Sequence, residues 1–278
     1  MAYDDYELLS IEVDHGIATA SIDAPPINVM TLPLFGELLR FGAEVGDDEA
    51  VRVVCLKSAN PDFFIAHFDV EAILGFPIDA PAERKPTNPF HQMCERFRTM
   101  PKATIAQIAG RVGGGGCELI QAFDMRFGAL ERAVFSQMEV PLGILPGGGG
   151  TQRLPRLVGR GRALEIILGG DDLDAGTAER WGLLNRALAD GDLGVFVDRL
   201  ARRIASFSPE AIRLAKESVN AAELPLAEGL IEEGYRFDLT VRTDGAQKRM
   251  RRFLEAGGQT REVELDLGPL VTRLNAGD

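Results

Sequence analysis

Cysteine is scarce in this chain, which limits the redox chemistry and the metal sites that it can carry. The 278 residues include three cysteines, Cys55, Cys94 and Cys117. Their spacing matches no zinc motif and no redox-active pair. An odd and sparse set of cysteines in a chain of this length is typical of a reducing compartment rather than of a secreted disulfide scaffold. We therefore expect no metal site.

Positive charge and long apolar runs are also lacking. Lysine and arginine together number 30 against 42 aspartates and glutamates, and the formal net charge is −12. This balance argues against a broad nucleic-acid-binding surface. No uninterrupted apolar run approaches the length of a membrane span, and residues 1–7 (MAYDDYE) are acidic, unlike a secretion signal. The expectation is a cytoplasmic protein without nucleic-acid or membrane partners.

Glycine occurs in runs, yet these runs do not form a nucleotide-binding motif. A P-loop requires Gly-Lys followed by Ser or Thr, and neither glycine run is followed by Gly-Lys. The dinucleotide fingerprint G-x-G-x-x-G would have Glu118 at its last position when counted from Gly113, and Gln152 when counted from Gly147. Neither class of nucleotide-binding site is therefore expected.

Two glycine-rich stretches, each with a glutamate close by, are the most informative feature of the chain. The first is residues 110–119 (GRVGGGGCEL), and the second is residues 137–154 (QMEVPLGILPGGGGTQRL). A glycine run that leads into a helix turns backbone N–H groups toward one point, where the helix dipole adds positive potential. Such a point suits an oxygen that gains negative charge during a reaction, and a neighbouring glutamate can move a proton. The pattern predicts enolate chemistry.

The first two thirds of the chain alternate between strand and helix patterns, which is typical of an α/β layer fold. Residues 103–108 read as a buried strand that leads into the first glycine run, and we predict a glycine loop followed by a helix at 117–122. Beyond residue 151 the pattern becomes mostly helical. We predict an α/β core with the active site over 1–205 and a helical oligomerisation region over 206–278.

Local patterns within the helical region predict where its last helix begins and ends. Asp244 and Gln247 have the spacing of a capping box, which satisfies the first N–H groups of a helix. Gly257 can close the helix because glycine adopts the left-handed conformation that ends many helices. The residues that follow, 259–278, are predicted to form a polar tail.

The ordered set of motifs resembles the crotonase family, also called the enoyl-CoA hydratase/isomerase family. Besides the two glycine-rich stretches, the resemblance rests on residues 25–30 (PPINVM), 64–70 (FIAHFDV) and 174–184 (DAGTAERWGLL). It covers about residues 11–256, and its order is specific although each segment alone is a weak signal. The resemblance implies a crotonase-like spiral of ββα units, with C-terminal helices that assemble a homotrimer or a dimer of trimers. It also implies a coenzyme A thioester as substrate and no separate cofactor.

The resemblance further implies roles for individual residues. The backbone N–H groups of Phe68 and Gly115 would form an oxyanion hole for the thioester oxygen, which becomes negatively charged in an enolate. Glu118 occupies the position of the first catalytic glutamate and would activate a water molecule. Glu139 occupies that of the second and would supply a proton to C2. The neighbouring residues expected to bind the substrate are Ala66, His67, Gly114 and Gly116.

These positions lead to one primary hypothesis and two alternatives. Two acidic positions favour an enoyl-CoA hydratase, a lyase that adds water to a trans-2-enoyl-CoA. An enoyl-CoA isomerase or another enolate-forming enzyme would need Glu139 as its main base. Family members commonly have a glycine and a small residue where this chain has His67 and Phe68, and many have lysine where it has Glu71. These departures motivate the third hypothesis, an acyl-CoA-binding trimer whose site has drifted.

The two glutamates also have a purely structural interpretation. By spacing alone, Glu118 would be a carboxylate favoured at its place near a helix start by the helix dipole. Glu139 would be a solvated loop residue, as most carboxylates are. The degree of burial separates the two interpretations, because a catalytic pair must face one enclosed substrate. A structure that turns either acid into bulk solvent would contradict the catalytic hypothesis.

Overall fold

The computed structural model describes residues 3–79, 81 and 83–274. Within these ranges the strands are β1 (Leu9–Asp14), β2 (Ile17–Ile22), β3 (Val53–Ser58), β4 (Phe63–Ile65), β5 (Ala103–Ile108), β6 (Arg111–Gly113), β7 (Met125–Ala129), β8 (Val134–Ser136), β9 (Leu173–Asp174) and β10 (Arg186–Leu188). The α-helices are α1 (Leu32–Asp47), α2 (Val70–Leu74), α3 (Pro89–Thr99), α4 (Gly114–Ile120), α5 (Gly150–Val158), α6 (Arg160–Gly169), α7 (Ala175–Trp181), α8 (Asp190–Ala205), α9 (Pro209–Asn220), α10 (Leu226–Val241), α11 (Asp244–Glu255), α12 (Arg261–Glu264) and α13 (Leu267–Leu274).

The strands form two sheets. A six-stranded sheet has the order β1-β2-β3-β5-β7-β10, and a four-stranded sheet has the order β4-β6-β8-β9. In the larger sheet β1 pairs with β2 in antiparallel fashion, and the following neighbours pair in parallel. In the smaller sheet β4, β6 and β8 are parallel, whereas β9 is antiparallel to β8. Long crossovers are required wherever strands run parallel, and the helices supply them.

The chain climbs through the two sheets as a spiral. One turn contributes β3 to the larger sheet, β4 to the smaller sheet and then α2 and α3. The next turn repeats this with β5, β6 and α4, and a third turn uses β7, β8 and the helices α5 and α6. The predicted spiral of ββα units is confirmed. In each turn of the spiral, a strand of the smaller sheet is followed by a helix. These strand–helix junctions lie on the same side of the molecule.

Side chains alternate across the larger sheet and fill two cores. Val54 and Leu56 face a core shared with the smaller sheet and α1, which includes the fully buried Phe64 and Phe135. The opposite face, with residues such as Val53, is covered by α8. Complete burial of an aliphatic or aromatic side chain contributes about 1.5–3 kcal/mol. The scaffold behind the glycine runs is therefore packed on both faces.

The first glycine run differs from its predicted conformation. A loop was predicted before a helix that starts at Cys117, but β6 ends at Gly113 and α4 begins immediately after it. A Cβ atom on Gly113 would lie 2.6 Å from the carbonyl oxygen of Ala66, and one on Gly116 would lie 2.7 Å from Cβ of Ile65. Glycine is needed because β6 and α4 pack directly against β4 and the residue that follows it.

The C-terminal region is helical from α9 to α11, as predicted, and α12 and α13 follow. Along α10 no residue is buried, and several large apolar side chains are exposed. These are Leu226, Leu230, Ile231, Tyr235 and Phe237. Several exposed apolar side chains on one helix are typical of a contact between proteins. Assembly into trimers and the division of the chain at residue 205 stay predictions.

Two predictions for this region are wrong. The N-cap of α11 is Thr243, whose hydroxyl accepts a hydrogen bond from Ala246 N at 3.1 Å, so Asp244 is already helical. The predicted polar tail contains α12 and α13, because Leu270 gives it an apolar anchor that is only 3% exposed. Residues 275–278 of that tail lie outside the described residues. None of the helices in the described ranges has both the length and the apolar character needed to cross a membrane.

Candidate active site

A cavity of about 310 Å³ opens where α4 begins, beside α3 and the second glycine run, Gly147–Gly150. Its lining includes the four groups to which the sequence assigned chemistry, and these are Phe68, Gly115, Glu118 and Glu139. The remaining lining residues are Ile73, Phe76, Asn88, Phe90, Ile144, Leu145, Gly147 and Gly148. Two carboxyl groups therefore share a cavity whose walls are otherwise mostly apolar.

Glu118 is held by the backbone of the second glycine run. The residue is 4% exposed, and its Oε1 accepts hydrogen bonds from the N–H groups of Gly148 at 2.8 Å and Gly150 at 2.7 Å. Gly149, with a φ of 117°, turns the chain into α5 between these two donors. Among the contacts of the described residues both hydrogen bonds fall on Oε1, which leaves Oε2 for a ligand.

The surroundings of Glu118 move its pKa toward neutrality. Burial is the largest influence and, with the negative charge of Glu139, raises the pKa of Glu118 from 4.5 to about 7. The hydrogen bonds from Gly150 and Gly148 and the positive charge of Arg153 oppose this rise, because they stabilise the ionised form. A carboxyl group with such a pKa can both accept and release a proton near neutral pH.

Glu139 lies between β8 and a 3₁₀ turn over Val140–Leu142. Its carbonyl oxygen accepts hydrogen bonds from Leu142 N at 3.0 Å and Ile144 N at 3.1 Å, which fix the backbone at the cavity wall. The residue is 8% exposed, so it is not the solvated loop residue of the structural interpretation. Burial raises the pKa of the Glu139 carboxyl, while a hydrogen bond from its own N–H and the nearby His67 oppose the rise.

A buried amide lies behind Glu139. Gln137 is fully buried, and with its amide nitrogen turned toward Glu139 it donates to both carboxylate oxygens, at 3.0 and 3.3 Å. In the same orientation its oxygen accepts from Gln121 Nε2 at 3.3 Å. We assign this orientation because it satisfies both ends of the amide. The sequence analysis missed Gln137, although it lies two residues before Glu139 in the quoted motif.

Two backbone N–H groups face the same region. Met30 N donates to the His67 carbonyl at 2.8 Å, and Asp69 N donates to the Met30 carbonyl at 3.1 Å. This parallel bridge turns the N–H of Phe68 to the opposite edge, and among the described residues it has no acceptor. Gly115 lies in the first turn of α4, where N–H groups lack helical partners. The two backbones are close, because a Cβ on Gly115 would lie 3.6 Å from Phe68 N.

Four residues predicted to bind the substrate lie beside the cavity rather than in its lining, and these are Ala66, His67, Gly114 and Gly116. Gly114 has a φ of 46°, and a Cβ there would lie 3.1 Å from Oε1 of Glu139. The Nδ1 atom of His67 is 2.9 Å from the Phe68 carbonyl oxygen. Gly116 packs on β4, as described above. Contact of these residues with a substrate stays a prediction.

Aromatic side chains form one wall of the cavity. The rings of Phe68 and Phe90 have centroids 6.0 Å apart, and each also packs against Phe35. A Cβ on Gly148 would lie 2.5 Å from the Phe90 ring, so that ring lies directly on the second glycine run. The sequence analysis did not single out Phe90. Its position just after Pro89 at the start of α3 gave no sign that it would meet a segment so distant in the chain.

A larger cavity of about 630 Å³ lies elsewhere, between the end of α4 and α9. Its lining is mainly apolar, and the charged groups in it have partners in the protein. Lys216 Nζ contacts Asp124 Oδ2 at 2.9 Å, and the buried Arg126 donates to the carbonyl oxygens of Phe123 and Leu183. Size alone therefore does not identify the reactive site, and we assign the chemistry to the smaller cavity because both carboxyl groups lie there.

Comparison with known proteins identifies the family of the chain. The sequence model of the enoyl-CoA hydratase/isomerase family matches residues 12–260. The chain belongs to the enoyl-CoA hydratase/isomerase family. Within that family it is similar to the crotonyl-CoA hydratase of Syntrophomonas wolfei, with 32% identity over 252 residues that cover 90% of this chain and 96% of the relative. It is also 30% identical to the short-chain-enoyl-CoA hydratase of Clostridium acetobutylicum over 247 residues, 88% of this chain and 94% of that protein.

Solved structures of the enoyl-CoA hydratase/isomerase family share the fold. An enoyl-CoA hydratase from Bacillus anthracis has a TM-score of 0.81 and 29% identity, and the match covers 90% of this chain and 97% of that one. The family recognised from the ordered motifs is thus confirmed. The roles of the individual residues are a separate question, which depends on the cavity itself.

Proposed function

We propose that this protein is an enoyl-CoA hydratase that adds water across the double bond of a trans-2-enoyl-CoA thioester. The observation that carries the proposal is that two buried carboxyl groups line one cavity together with Phe68 and Gly115, whose backbone N–H groups have no acceptor among the described residues. The names of the Syntrophomonas and Clostridium relatives, which are both hydratases, support the same reaction. No separate cofactor takes part in the proposal, because coenzyme A belongs to the substrate.

The N–H groups of Phe68 and Gly115 would bind the thioester oxygen. Addition of a nucleophile at C3 moves electron density through C2 to that oxygen, which becomes an enolate. Fixed donors stabilise the charge without reorganisation, and loss of one such donor typically costs a factor of about 10²–10³ in kcat. Because backbone atoms supply both donors, Phe68 can replace the small residue that is common in the family without removing the donor.

Glu118 would orient and deprotonate the water through Oε2, because Oε1 is engaged with the glycine run. The oxygen of the water then bonds to C3 while the water proton passes to Glu118. The step starts from the form of the pair in which Glu118 is ionised and Glu139 is protonated, and Glu139 would then donate its proton to C2, which completes the addition. The product leaves with Glu118 protonated and Glu139 ionised, and proton exchange with solvent restores the starting states. Transfers of this kind typically contribute a factor of about 10²–10⁴ each.

Assembly into a homotrimer or a dimer of trimers is part of the proposal. The exposed apolar side chains of α10 support it, since Leu226, Ile231 and Phe237 are 78%, 72% and 66% exposed in the single chain. Burial of these side chains between copies would remove apolar surface from water. Sedimentation of the purified protein tests this point, and a monomer at micromolar concentration would contradict it.

The reaction is tested by offering crotonyl-CoA and a 3-enoyl-CoA to the protein side by side. We expect hydration of crotonyl-CoA in the wild type and its loss when Glu118→Gln and Glu139→Gln are combined. Glu12→Gln, a change of an exposed residue on β1, is the matched control and should retain full activity. Isomerisation without hydration would favour the isomerase, in which Glu139 alone carries the proton. Calorimetric binding of acyl-CoA without any turnover would favour the drifted binding protein.

A further inference from the structure

Arg153 lies behind the loop that holds Glu118. It belongs to α5, and its Nη1 donates to the carbonyl oxygen of Gly148 at 3.1 Å. Its Nη2 donates to Oε1 of Glu95 on α3 at 2.8 Å. The Arg153 side chain is 15% exposed and that of Glu95 is 41% exposed, so the arginine is the better shielded end of the pair. One guanidinium therefore ties the second glycine run to a helix that is distant in the chain.

The guanidinium also occupies the space beside Gly149. A Cβ on Gly149 would lie 1.9 Å from Nη1 of Arg153, and the φ of 117° at this glycine is one that other residues rarely adopt. The loop from Gly148 to Gly150 is thus shaped around the arginine. The N–H groups at both ends of this loop are the donors to Glu118. A displacement of the guanidinium would therefore move the donors.

The far end of the contact is itself fixed. Oε2 of Glu95 accepts from Nε of Arg98 at 2.8 Å and from its Nη2 at 2.7 Å. Burial would raise the pKa of Glu95, but the hydrogen bonds from Arg98 and Arg153 outweigh it and hold the pKa below the usual value. Glu95 is therefore anionic throughout the neutral range and holds Arg153 through a charge-assisted hydrogen bond.

We propose that Arg153 and Glu95 are positioning residues that clamp the glycine loop and thereby fix the Glu118 carboxylate for catalysis. The chain of contacts runs from α3 through the Glu95–Arg153 pair to the Gly148 carbonyl, and from the adjacent N–H groups to Oε1 of Glu118. The inference rests on the proposed function only in that Glu118 acts in catalysis. The clamp itself sets where the Glu118 carboxylate is held and how it ionises.

Charge adds a second effect of the clamp. The titratable and charged groups that act on the Glu118 carboxylate or are acted on by it are Glu139, Arg153, Cys94 and Cys117. The two thiols are neutral near pH 7, because burial raises the pKa of each to about 12. Arg153 is thus the cation that opposes burial and the charge of Glu139. Removal of Arg153 should make Glu118 harder to ionise.

The kinetic test uses variants that separate charge from contact. Arg153→Met removes both, and we expect kcat to fall about 30-fold with KM changed less than about 3-fold, while the acid limb of the pH profile moves to higher pH. Arg153→Lys keeps the charge but cannot span Gly148 and Glu95 together, so kcat should fall with a smaller pH shift. Glu95→Gln frees the cation from α3, and kcat should fall about 10-fold without movement of the acid limb to higher pH.

Arg156→Met is the matched control. Arg156 lies one turn further along α5, and its partner Glu223 is 3.9 Å away on the surface. This variant should keep the wild-type kcat and pH profile. A wild-type kcat and pH profile in Arg153→Met would overturn the clamp, and so would an equal loss in Arg156→Met. If thermal unfolding shows that Arg153→Met is not folded, the kcat values of Arg153→Lys and Glu95→Gln decide the question instead. Wild-type kcat in both of these variants would overturn the clamp.

A measurement without turnover separates this inference from the proposed reaction. Infrared titration, with the Glu118→Gln spectrum subtracted, reports the ionisation of the Glu118 carboxyl directly. Its pKa should be higher in Arg153→Met than in the wild type and unchanged in Arg156→Met. An unchanged value in Arg153→Met overturns the clamp even if the enzyme is a hydratase. A raised value supports the clamp even if no enoyl-CoA is hydrated.

Discussion

The two carboxyl groups of the cavity are held by different kinds of partner. Glu118 is held by main-chain N–H groups of the second glycine run, whereas Glu139 contacts the side-chain amide of Gln137. A backbone donor persists whatever side chain its residue carries, but a side-chain donor can be lost in one substitution. The position of Glu118 is therefore built into the path of the chain, whereas that of Glu139 rests on one buried amide and on the N–H of Glu139 itself.

The charges near the two groups differ as well. Arg153 lowers the pKa of Glu118 against its burial, and His67 acts in the same direction on Glu139. Arg153 is itself held by Oε1 of Glu95 at 2.8 Å, whereas Nδ1 of His67 lies 2.9 Å from the Phe68 carbonyl oxygen. The positive group beside Glu118 is thus fixed by an ion pair, and the ring beside Glu139 by a contact with the main chain.

The largest expected effect is the loss of hydration in Glu118→Gln. The glutamine oxygen can still accept both N–H groups of the glycine run, so the shape of the site is kept while the proton acceptor is lost. We expect kcat for crotonyl-CoA to fall by about 10³–10⁴, with KM within a few-fold of the wild type. Steady-state kinetics check this. A loss confined to KM would show that Glu118 binds substrate rather than moves a proton.

Glu139→Gln should have a smaller effect on hydration. Water can also protonate an enolate, so the loss of the proton donor slows the reaction by about 10²–10³ rather than abolishing it. The incorporation of solvent deuterium at C2 of the product, assigned to one face by NMR, should lose its facial selectivity. If Glu139→Gln were slower than Glu118→Gln on crotonyl-CoA, the assignment of the two roles would have to be reversed.

The fold and the pair of acids could be predicted from sequence because their signals are local and ordered. Glu118 and Glu139 each follow or precede glycines in a recognisable string, and the structure places both at one cavity. The clamp could not be predicted in this way. Glu95 and Arg153 contact each other across 58 residues, and neither belongs to a motif that names the other.

The glycine runs show why the conformation of the motif was harder to predict than its presence. Glycine favours loops by propensity, and a loop was predicted before Cys117. The observed strand and helix arise because Gly113 and Gly116 are pressed against β4, where a Cβ would collide. That partner lies about 50 residues earlier in the chain, a distance typical of the parallel crossovers that separate strands in such folds. Tertiary packing therefore overrode the local preference.

Removal of the Glu118 charge should stabilise the fold. Its pKa is raised from 4.5 to about 7 on folding, so the folded state holds a proton that the unfolded state releases between these values. The contribution of Glu118 to the free energy of unfolding is most favourable below the unfolded-state pKa and falls as pH rises toward the folded-state pKa. Above that pKa it is constant, and the total loss of stability is about 3 kcal/mol. Glu118→Gln should unfold at higher denaturant concentration than the wild type at about pH 8 and show little difference at about pH 4.

The comparison with the second acid sharpens this expectation. Burial also raises the pKa of Glu139, so Glu139→Gln should stabilise the protein in the same direction and by less, because Glu139 is less deeply buried. Glu12→Gln should leave the unfolding curve unchanged at both pH values. A Glu118→Gln variant that is less stable than the wild type at about pH 8 would mean that the glycine-run hydrogen bonds outweigh the cost of burial.

The smallest expected effect distinguishes how tightly each carboxyl group is enclosed. A Cβ on Gly150 would lie 3.0 Å from Oε1 of Glu118, and one on Gly114 would lie 3.1 Å from Oε1 of Glu139. In Gly150→Ala the new Cβ would press on the Glu118 carboxylate, which two backbone donors hold in place, so kcat should fall about 10-fold. In Gly114→Ala the new Cβ would press on the Glu139 carboxylate. Because a side chain that can shift holds that carboxylate, kcat should fall about 3-fold, although the positive φ costs about 1–2 kcal/mol of stability.

The control for both substitutions is Gly161→Ala in α6, where a Cβ would have no atom within 4 Å, and this variant should retain activity. Equal losses of kcat in the Gly150 and Gly114 variants would mean that the main chain holds Glu118 no more firmly than the amide holds Glu139.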